Sequence, residues 1–144
     1  MREILFRGKA KAGYKRIAEG EWIEGSLFYS DNENRTVYQI ATSYLSASKD
    51  GPVMVVAYKV DSSTVCQYTG LNDKNSRKIF EGDIIKWVGA IGKVKWYHGN
   101  YTGWYVDEIY MGEQQFTNEM WNECEIIGNI FDNPDLIEWK RSKL

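Results

Sequence analysis

Short apolar runs separated by polar turn residues recur along most of this 144-residue chain. Many of the runs are rich in Val, Ile, Tyr and Trp, which are side chains that favour strands. Their close spacing is typical of a small barrel or sandwich, so the pattern predicts a mostly β protein of about nine short strands. The predicted strands cover residues 4–7, 22–29, 36–41, 53–60, 64–68, 84–87, 93–97, 104–109 and 125–131.

Three of these regions carry more specific information. The polar cluster at residues 31–34 lies between two strand-like runs, and Asn and Asp favour turns, so we predict a hairpin there. Residues 53–60 form a continuous apolar run, which predicts a buried strand. Residues 93–97 alternate in polarity, so Val94 and Trp96 would face one side of a sheet.

The central segment, residues 82–96, predicts a fold. A Gly-Asp corner, an apolar strand, a turn at residues 89–92 and a second strand ending in Trp are common in SH3-like barrels. We therefore predict a small, partly open SH3-like barrel over residues 64–139, with additional N-terminal strands over residues 1–60, in a single domain. Residues 113–123 carry a partial apolar stripe, so we expect at most one short helix.

Composition limits the possible cellular location of the protein and the classes of partner it could bind. The formal net charge is −2, so the chain lacks the overall basic footprint of proteins that bind nucleic acid non-specifically. Cys66 and Cys124 stand far apart and form no C-x-x-C pair, which favours two buried thiols in a reducing cytosol. The N-terminus does not look like a secretory signal, and no run approaches the roughly 20 apolar residues that span a bilayer. We expect a cytoplasmic protein that does not bind membranes.

Three segments carry a recognisable pattern: residues 2–7, the run TVCQYTGLNDKNSRKIFEGDII at 64–85, and EIIGNIFDNPDLI at 125–137. Together they resemble the YopX-like proteins of phages and prophages. Two positions depart from the family pattern, since Cys66 and Ser76 stand where the family often has Gly. Ser76 disfavours a tight type I′ turn and favours a looser one. The resemblance implies a small, mostly β, phage-encoded protein in a bacterial host, and it implies no activity, cofactor or metal.

Aromatic side chains interleaved with lysines form the main candidate binding surface. SH3-like and OB-like barrels use such surfaces to stack nucleic-acid bases or to hold proline-rich peptides. The competing interpretation is that the aromatic rings fill the core of a small barrel. The candidate residues are Trp87, Lys93, Lys95, Tyr97, Tyr101 and Trp104.

Asp73, Glu81 and Asp83 form an alternative cluster of carboxylates. Such clusters perform acid–base catalysis or hold Mg²⁺, but Asp in turns and at strand starts commonly bonds the backbone instead. His98 is the single histidine and has no Ser or Cys partner in a recognisable pattern. We therefore expect no catalytic residues and no enzymatic activity.

The leading functional hypothesis is a non-enzymatic phage accessory protein that binds a host or phage protein. The first alternative is binding of single-stranded nucleic acid through the aromatic and lysine residues. A metal-dependent enzyme that uses the carboxylates is the second. A homo-oligomer formed through unpaired strand edges is a further prediction, because a sheet edge can pair with a second copy.

Overall fold

The computed structural model describes residues 2–46, 49–51, 53–98 and 102–141. Strands make up 56% and helices 10% of the structure, so the predicted mostly β class is confirmed. The contacts within the chain group it into two compact units, Met1–Gln67 and Tyr68–Leu144. The prediction that they act as a single domain stays a prediction.

The first unit is an antiparallel sheet in which β1 pairs with β2, β2 with β3, and β3 with β4. The first two residues of β5 pair with the other side of β1. A buried core of Ala10, Ile23, Ile40 and Val60 packs on one face of this sheet. The strands are β1 (Phe6–Lys9), β2 (Trp22–Asn32), β3 (Arg35–Ser46), β4 (Val53–Lys59) and β5 (Cys66–Asn72).

The hairpin predicted around residues 31–34 is confirmed, because β2 and β3 pair continuously from Ser26↔Ala41 to Asn32↔Arg35. The prediction that residues 53–60 form a buried strand holds for Val60, which is 3% exposed, but it is wrong for the first part of the strand. Among the described strands β4 has β3 as its neighbour and lies at the edge of the sheet. Met54 is 68% exposed and Val55 is 49% exposed, because an edge strand is covered on fewer sides.

The second unit contains a five-stranded antiparallel sheet in the order β10-β9-β8-β7-β11. The remainder of β5 pairs with β6 in the same unit. The strands are β6 (Lys78–Phe80), β7 (Asp83–Trp87), β8 (Ala90–His98), β9 (Thr102–Glu108), β10 (Gly112–Gln114) and β11 (Glu125–Asn129). Two helices accompany them, α1 (Asn118–Glu123) and α2 (Asp135–Arg141).

Both faces of the five-stranded sheet carry apolar clusters. One cluster holds Ile85, Val94 and Val106 together with Trp121 of α1. The other cluster holds Ile84 and Ile109, with Ile137 of α2. Neighbouring residues on a strand point to opposite faces, so Ile84 and Ile85 of β7 belong to different clusters.

The five strands have β10 and β11 at their two ends, so these strands form no closed barrel. This agrees with the expectation of an open arrangement, and the SH3-like topology stays a prediction. The expectation of at most one helix is wrong, because residues 135–141 form α2. Leu136 and Ile137 pack against the second apolar cluster, and this tertiary contact stabilises a helix too short to persist alone.

The turn predicted at residues 89–92 is displaced. Trp87 pairs with Ala90, so Val88 and Gly89 form the two-residue turn between β7 and β8. Both residues have positive φ, +46° and +84°, as a type I′ turn requires. Gly92 lies within β8, where an added Cβ would stand 2.6 Å from the Asp107 carbonyl oxygen. Close packing of β8 on β9 therefore requires glycine at this position.

Candidate functional site

The alternation of β8 divides the predicted aromatic and lysine residues between two faces of the sheet. Trp96 pairs with Trp104, and Lys95 pairs with Tyr105 on the opposite face. Trp87 and Trp104 pack against the cluster that contains Val94. The structure therefore does not bring these tryptophans and the lysines together on one surface.

The tryptophans take part in packing on one face. The Trp87 ring lies 5.8 Å from the ring of Phe116, and its indole N–H donates to Glu123 at 3.2 Å. Trp96 and Trp104 form an edge-on pair with ring centroids 4.7 Å apart. Trp96 is 45% exposed, so this pair combines core packing with a surface that solvent reaches.

The lysines lie on the opposite face beside acidic groups. Lys93 Nζ lies 3.9 Å from a carboxylate oxygen of Asp107. Lys95 is exposed, and its charge partly offsets the effect of burial, which raises the pKa of the Glu81 carboxyl. The side chain of Tyr97 and the whole of Tyr101 lie outside the described residues.

Asp73 is buried and bonds the backbone at three places. One carboxylate oxygen accepts from the backbone N–H groups of Asn75 and Arg77, both at 2.9 Å. The other accepts from Ile126 N at 3.0 Å. Asp73 therefore holds the turn before β6 and ties it to β11. Ser76 has φ +62° in this wider turn, in agreement with the looser turn expected from the sequence.

Asp83 has a similar local role. It is 2% exposed, and its carboxylate accepts from Phe80 N at 2.8 Å across the Glu-Gly-Asp corner. Among the described residues, no group of three or more His, Cys, Asp or Glu side chains is arranged to hold a metal ion. Asp73, Glu81 and Asp83 therefore do not converge into such a group.

Sequence reasoning missed a third buried carboxylate, Glu108 at the end of β9. It is 5% exposed, and it accepts from the backbone N–H groups of Tyr110 and Met111 at 2.8 and 2.6 Å. The Gly112 that follows has φ +75°. This glycine was the available sequence signal that a tight turn, with donors to satisfy, follows β9.

The cysteines and the histidine show no catalytic arrangement. Cys66 and Cys124 are buried and are not joined in a disulfide, which confirms the prediction of two buried thiols. Burial raises the pKa of the Cys124 thiol to about 11, so it stays protonated and unreactive near neutral pH. His98 is exposed, and its Nδ1 lies 3.1 Å from the Thr102 hydroxyl.

The exposed edge strand β4 is the candidate binding surface that sequence reasoning missed. Its first six residues, VMVVAY, carry no charge, and Met54 and Val55 are among the large apolar side chains most open to solvent. Natural proteins usually protect such edges with charges, bulges or covering loops, because an open edge pairs readily with another strand. The apolar run was visible in the sequence, but its position at an edge was not.

No helix in the described part of the chain is long and apolar enough to cross a membrane.

Comparison with known proteins adds a family and a fold. The family model described as YopX protein matches residues 14–138. A solved structure, the crystal structure of protein EF1440 from Enterococcus faecalis, is similar with a TM-score of 0.60 and 21% sequence identity. The similarity covers 95% of this chain and 99% of that chain, and at this identity it shows a shared fold only. No curated protein matches the chain.

Proposed function

The chain belongs to the YopX family, and from this premise we propose that it is a non-enzymatic phage or prophage accessory protein that binds a host or phage protein in the bacterial cytoplasm. The observation that carries the proposal is the open edge of β4. The outer N–H and C=O groups of Lys59 already bond Tyr14 and Lys11, so the open, apolar part of the edge is the portion of β4 that precedes Lys59.

Strand addition is the mode of binding that this edge supports. An extended segment of the partner pairs with β4 through main-chain hydrogen bonds, and alternate side chains of both strands determine specificity. Met54 and Val55 point to opposite faces of the sheet, so the partner segment presents apolar side chains on both of its faces.

The non-enzymatic part of the proposal rests on the roles of the carboxylates. The carboxylates of Asp73 and Asp83 accept hydrogen bonds from backbone amides and so hold turns. This gives both residues a structural role that requires no catalysis. The cytoplasmic location draws support from two buried cysteines that form no disulfide, as is usual in a reducing compartment.

Binding of single-stranded nucleic acid is the alternative. Its support is the Trp96–Trp104 pair, with Trp96 partly exposed for stacking. It is weaker than the strand-addition proposal because Lys93 and Lys95 lie on the other face of the sheet. A second copy of the chain is the alternative occupant of β4, and it would make a homodimer.

A matched pair of substitutions tests strand addition. Met54→Lys places a charge on the β4 edge, whereas Met111→Lys places the same charge at a 74% exposed methionine in a turn of the second unit. Tagged variants are used to capture proteins from lysate of phage-infected host cells. We expect Met54→Lys to reduce, about tenfold, the recovery of the protein that the wild-type chain captures. Met111→Lys should leave that recovery unchanged.

Equal recovery by both variants would contradict the use of this edge. Sedimentation of the purified protein at several concentrations identifies the alternative occupant. A dimer that Met54→Lys dissociates would assign the edge to a second copy of the chain.

A further inference from the structure

The positive charge of the first unit is concentrated in one short segment. Residues 4–18 contain five Lys or Arg residues and no Asp or Glu, in a chain whose formal net charge is −2. Net charge reports nothing about such local concentration. This basic segment was visible in the sequence, but the cations that meet it in space come from two distant strands.

Backbone hydrogen bonds fix the basic segment against those strands. Lys11 N donates to the carbonyl oxygen of Lys59 at 3.0 Å, and Val60 N donates to the carbonyl oxygen of Tyr38 at 3.0 Å. The Tyr14 hydroxyl accepts from Lys59 N at 3.1 Å. The middle of the basic segment, the start of β3 and the end of β4 are therefore held side by side.

These three segments enclose a cleft of about 310 Å³, which lies at the lower end of the volumes of small-ligand sites. Lys11, Arg35 and Lys59 line it and supply three positive charges from three separate parts of the chain. Asp61 is the acidic residue of the lining. Its carboxylate accepts from the N–H and the hydroxyl of Ser63 at 3.0 and 2.8 Å.

The charge balance favours an anion. Hydrogen bonds from Ser63 lower the pKa of the Asp61 carboxyl, so Asp61 contributes one negative charge against three positive ones. A phosphate monoester carries nearly two negative charges at neutral pH, and a lining with more cations than anions favours such a group. An arginine guanidinium binds phosphate oxygens in pairs, and lysines bind them as point charges.

The rest of the lining is less polar. Ala12, Val37 and Val60 contribute to it, and Val60 also belongs to the buried core beneath the sheet. A wall of this kind beside the cations accommodates an organic group attached to the phosphate. The volume of the cleft suits a single phosphorylated unit and not a folded nucleic acid or a protein surface.

We propose that this cleft binds a small phosphate monoester of about the size of a mononucleotide, with the phosphate held by Lys11, Arg35 and Lys59. This site is separate from the outer edge of β4 to which we assign the protein partner. It therefore stands or falls independently of the strand-addition proposal.

The probes are adenosine monophosphate, ribose 5-phosphate, inorganic phosphate, adenosine and a short single-stranded oligonucleotide. Each is titrated into the 144-residue chain and followed by amide chemical shifts in two-dimensional NMR. We expect one of the two monoesters to produce saturable shifts at Lys11, Val37 and Asp61. Comparison of the two monoesters shows whether the base contributes to affinity. Adenosine, which lacks the phosphate, should produce no saturable shifts.

Charge-neutralising variants provide the matched control. Lys11→Gln with Lys59→Gln removes two charges from the cleft and preserves the backbone bonds that shape it. Lys15→Gln with Lys86→Gln removes two exposed charges elsewhere. We expect the first pair to weaken monoester binding about a hundredfold, since each hydrogen bond between charged groups contributes about tenfold, and the second pair to change it little.

Three results would overturn the proposal. One is the absence of saturable shifts with either monoester, and another is equal weakening by the two variant pairs. The third is adenosine or the oligonucleotide binding more tightly than both monoesters, because the cleft would then read a base or a strand and not a terminal phosphate.

Discussion

The two units of this protein use their apolar residues differently. In the second unit both faces of the five-stranded sheet carry buried clusters. Its exposed apolar residues Val88, Tyr110 and Met111 lie in turns, and the partly exposed Trp96 on β8 packs against Trp104. In the first unit the exposed apolar residues Met54 and Val55 lie within a strand. Apolar surface in a turn is common, whereas apolar surface along an edge strand is open to pairing.

The two units also differ in net charge. The first unit has 9 Lys or Arg against 8 Asp or Glu, a net charge of +1, and the second has 9 against 12, a net charge of −3, which together give the chain's −2. Several carboxylates of the second unit bond its own backbone. Both surfaces that we propose for binding, the β4 edge and the cleft, belong to the first unit, whereas the buried carboxylates of the second unit hold its own turns.

The largest expected effect tests the packing of the second unit. Trp121 is 4% exposed and its ring lies 5.1 Å from that of Phe116. We expect Trp121→Ala to lower the free energy of unfolding by about 3–5 kcal/mol, because it leaves a large cavity in the core. Urea denaturation followed by circular dichroism measures this loss.

Phe28→Ala is the control for that substitution in the first unit. Phe28 is 43% exposed on β2, so we expect a loss of about 1 kcal/mol or less. Equal losses for the two variants would contradict the contrast between the units, because they would mean that Phe28 contributes as much packing energy to the first unit as Trp121 does to the second.

An intermediate effect is expected at Asp73. Asp73→Asn preserves the shape of the side chain, but the new amide group turns one N–H donor toward a backbone donor, either Ile126 N or the Asn75 and Arg77 pair. We expect a loss of about 2 kcal/mol in the free energy of unfolding, because a buried donor is left unsatisfied. Calorimetric titration of the wild type with Mg²⁺ should show no binding heat. A stable variant combined with saturable Mg²⁺ binding to the wild type would instead support the carboxylate metal site.

The smallest effect is expected at Val88, and it has the opposite sign. Val88 is 84% exposed with φ +46°, a strained conformation for a β-branched residue. We expect Val88→Asn to raise the free energy of unfolding by about 1 kcal/mol, because Asn-Gly favours the type I′ turn. Thermal unfolding measures the gain, with Val55→Asn on β4 as the control. If Val88→Asn gives no gain over that control, the positive φ of Val88 does not destabilise the turn.

The strand content was predictable because alternation and turn residues act locally. The polar cluster at residues 31–34 and the alternation at residues 93–97 both correspond to observed elements. The errors lie where short segments depend on distant partners. Residues 135–141 are helical because Leu136 and Ile137 pack against apolar residues of the sheet. The sequence of so short a segment does not show which distant residues it will contact.

The candidate sites show the same division. The aromatic and lysine residues are close together along the chain. Successive side chains of a strand point to opposite faces of the sheet, however, so residues adjacent in sequence lie on different surfaces. The cleft formed by Lys11, Arg35 and Lys59 could not be read from the sequence, because its cations are brought together by the pairing of β3 with β4 and by the Lys11–Lys59 backbone bond.

The sequence by itself determined the mostly β class, the hairpin in the first unit, the two buried thiols and membership of the YopX family. These follow from local pattern, composition and motif, which each short segment carries independently. Tertiary structure decided which apolar strand lies at an edge, which faces the aromatic rings occupy and which cations share a cleft. Those outcomes depend on pairing between residues far apart in the chain, and the free energy of such pairing is absent from any one segment.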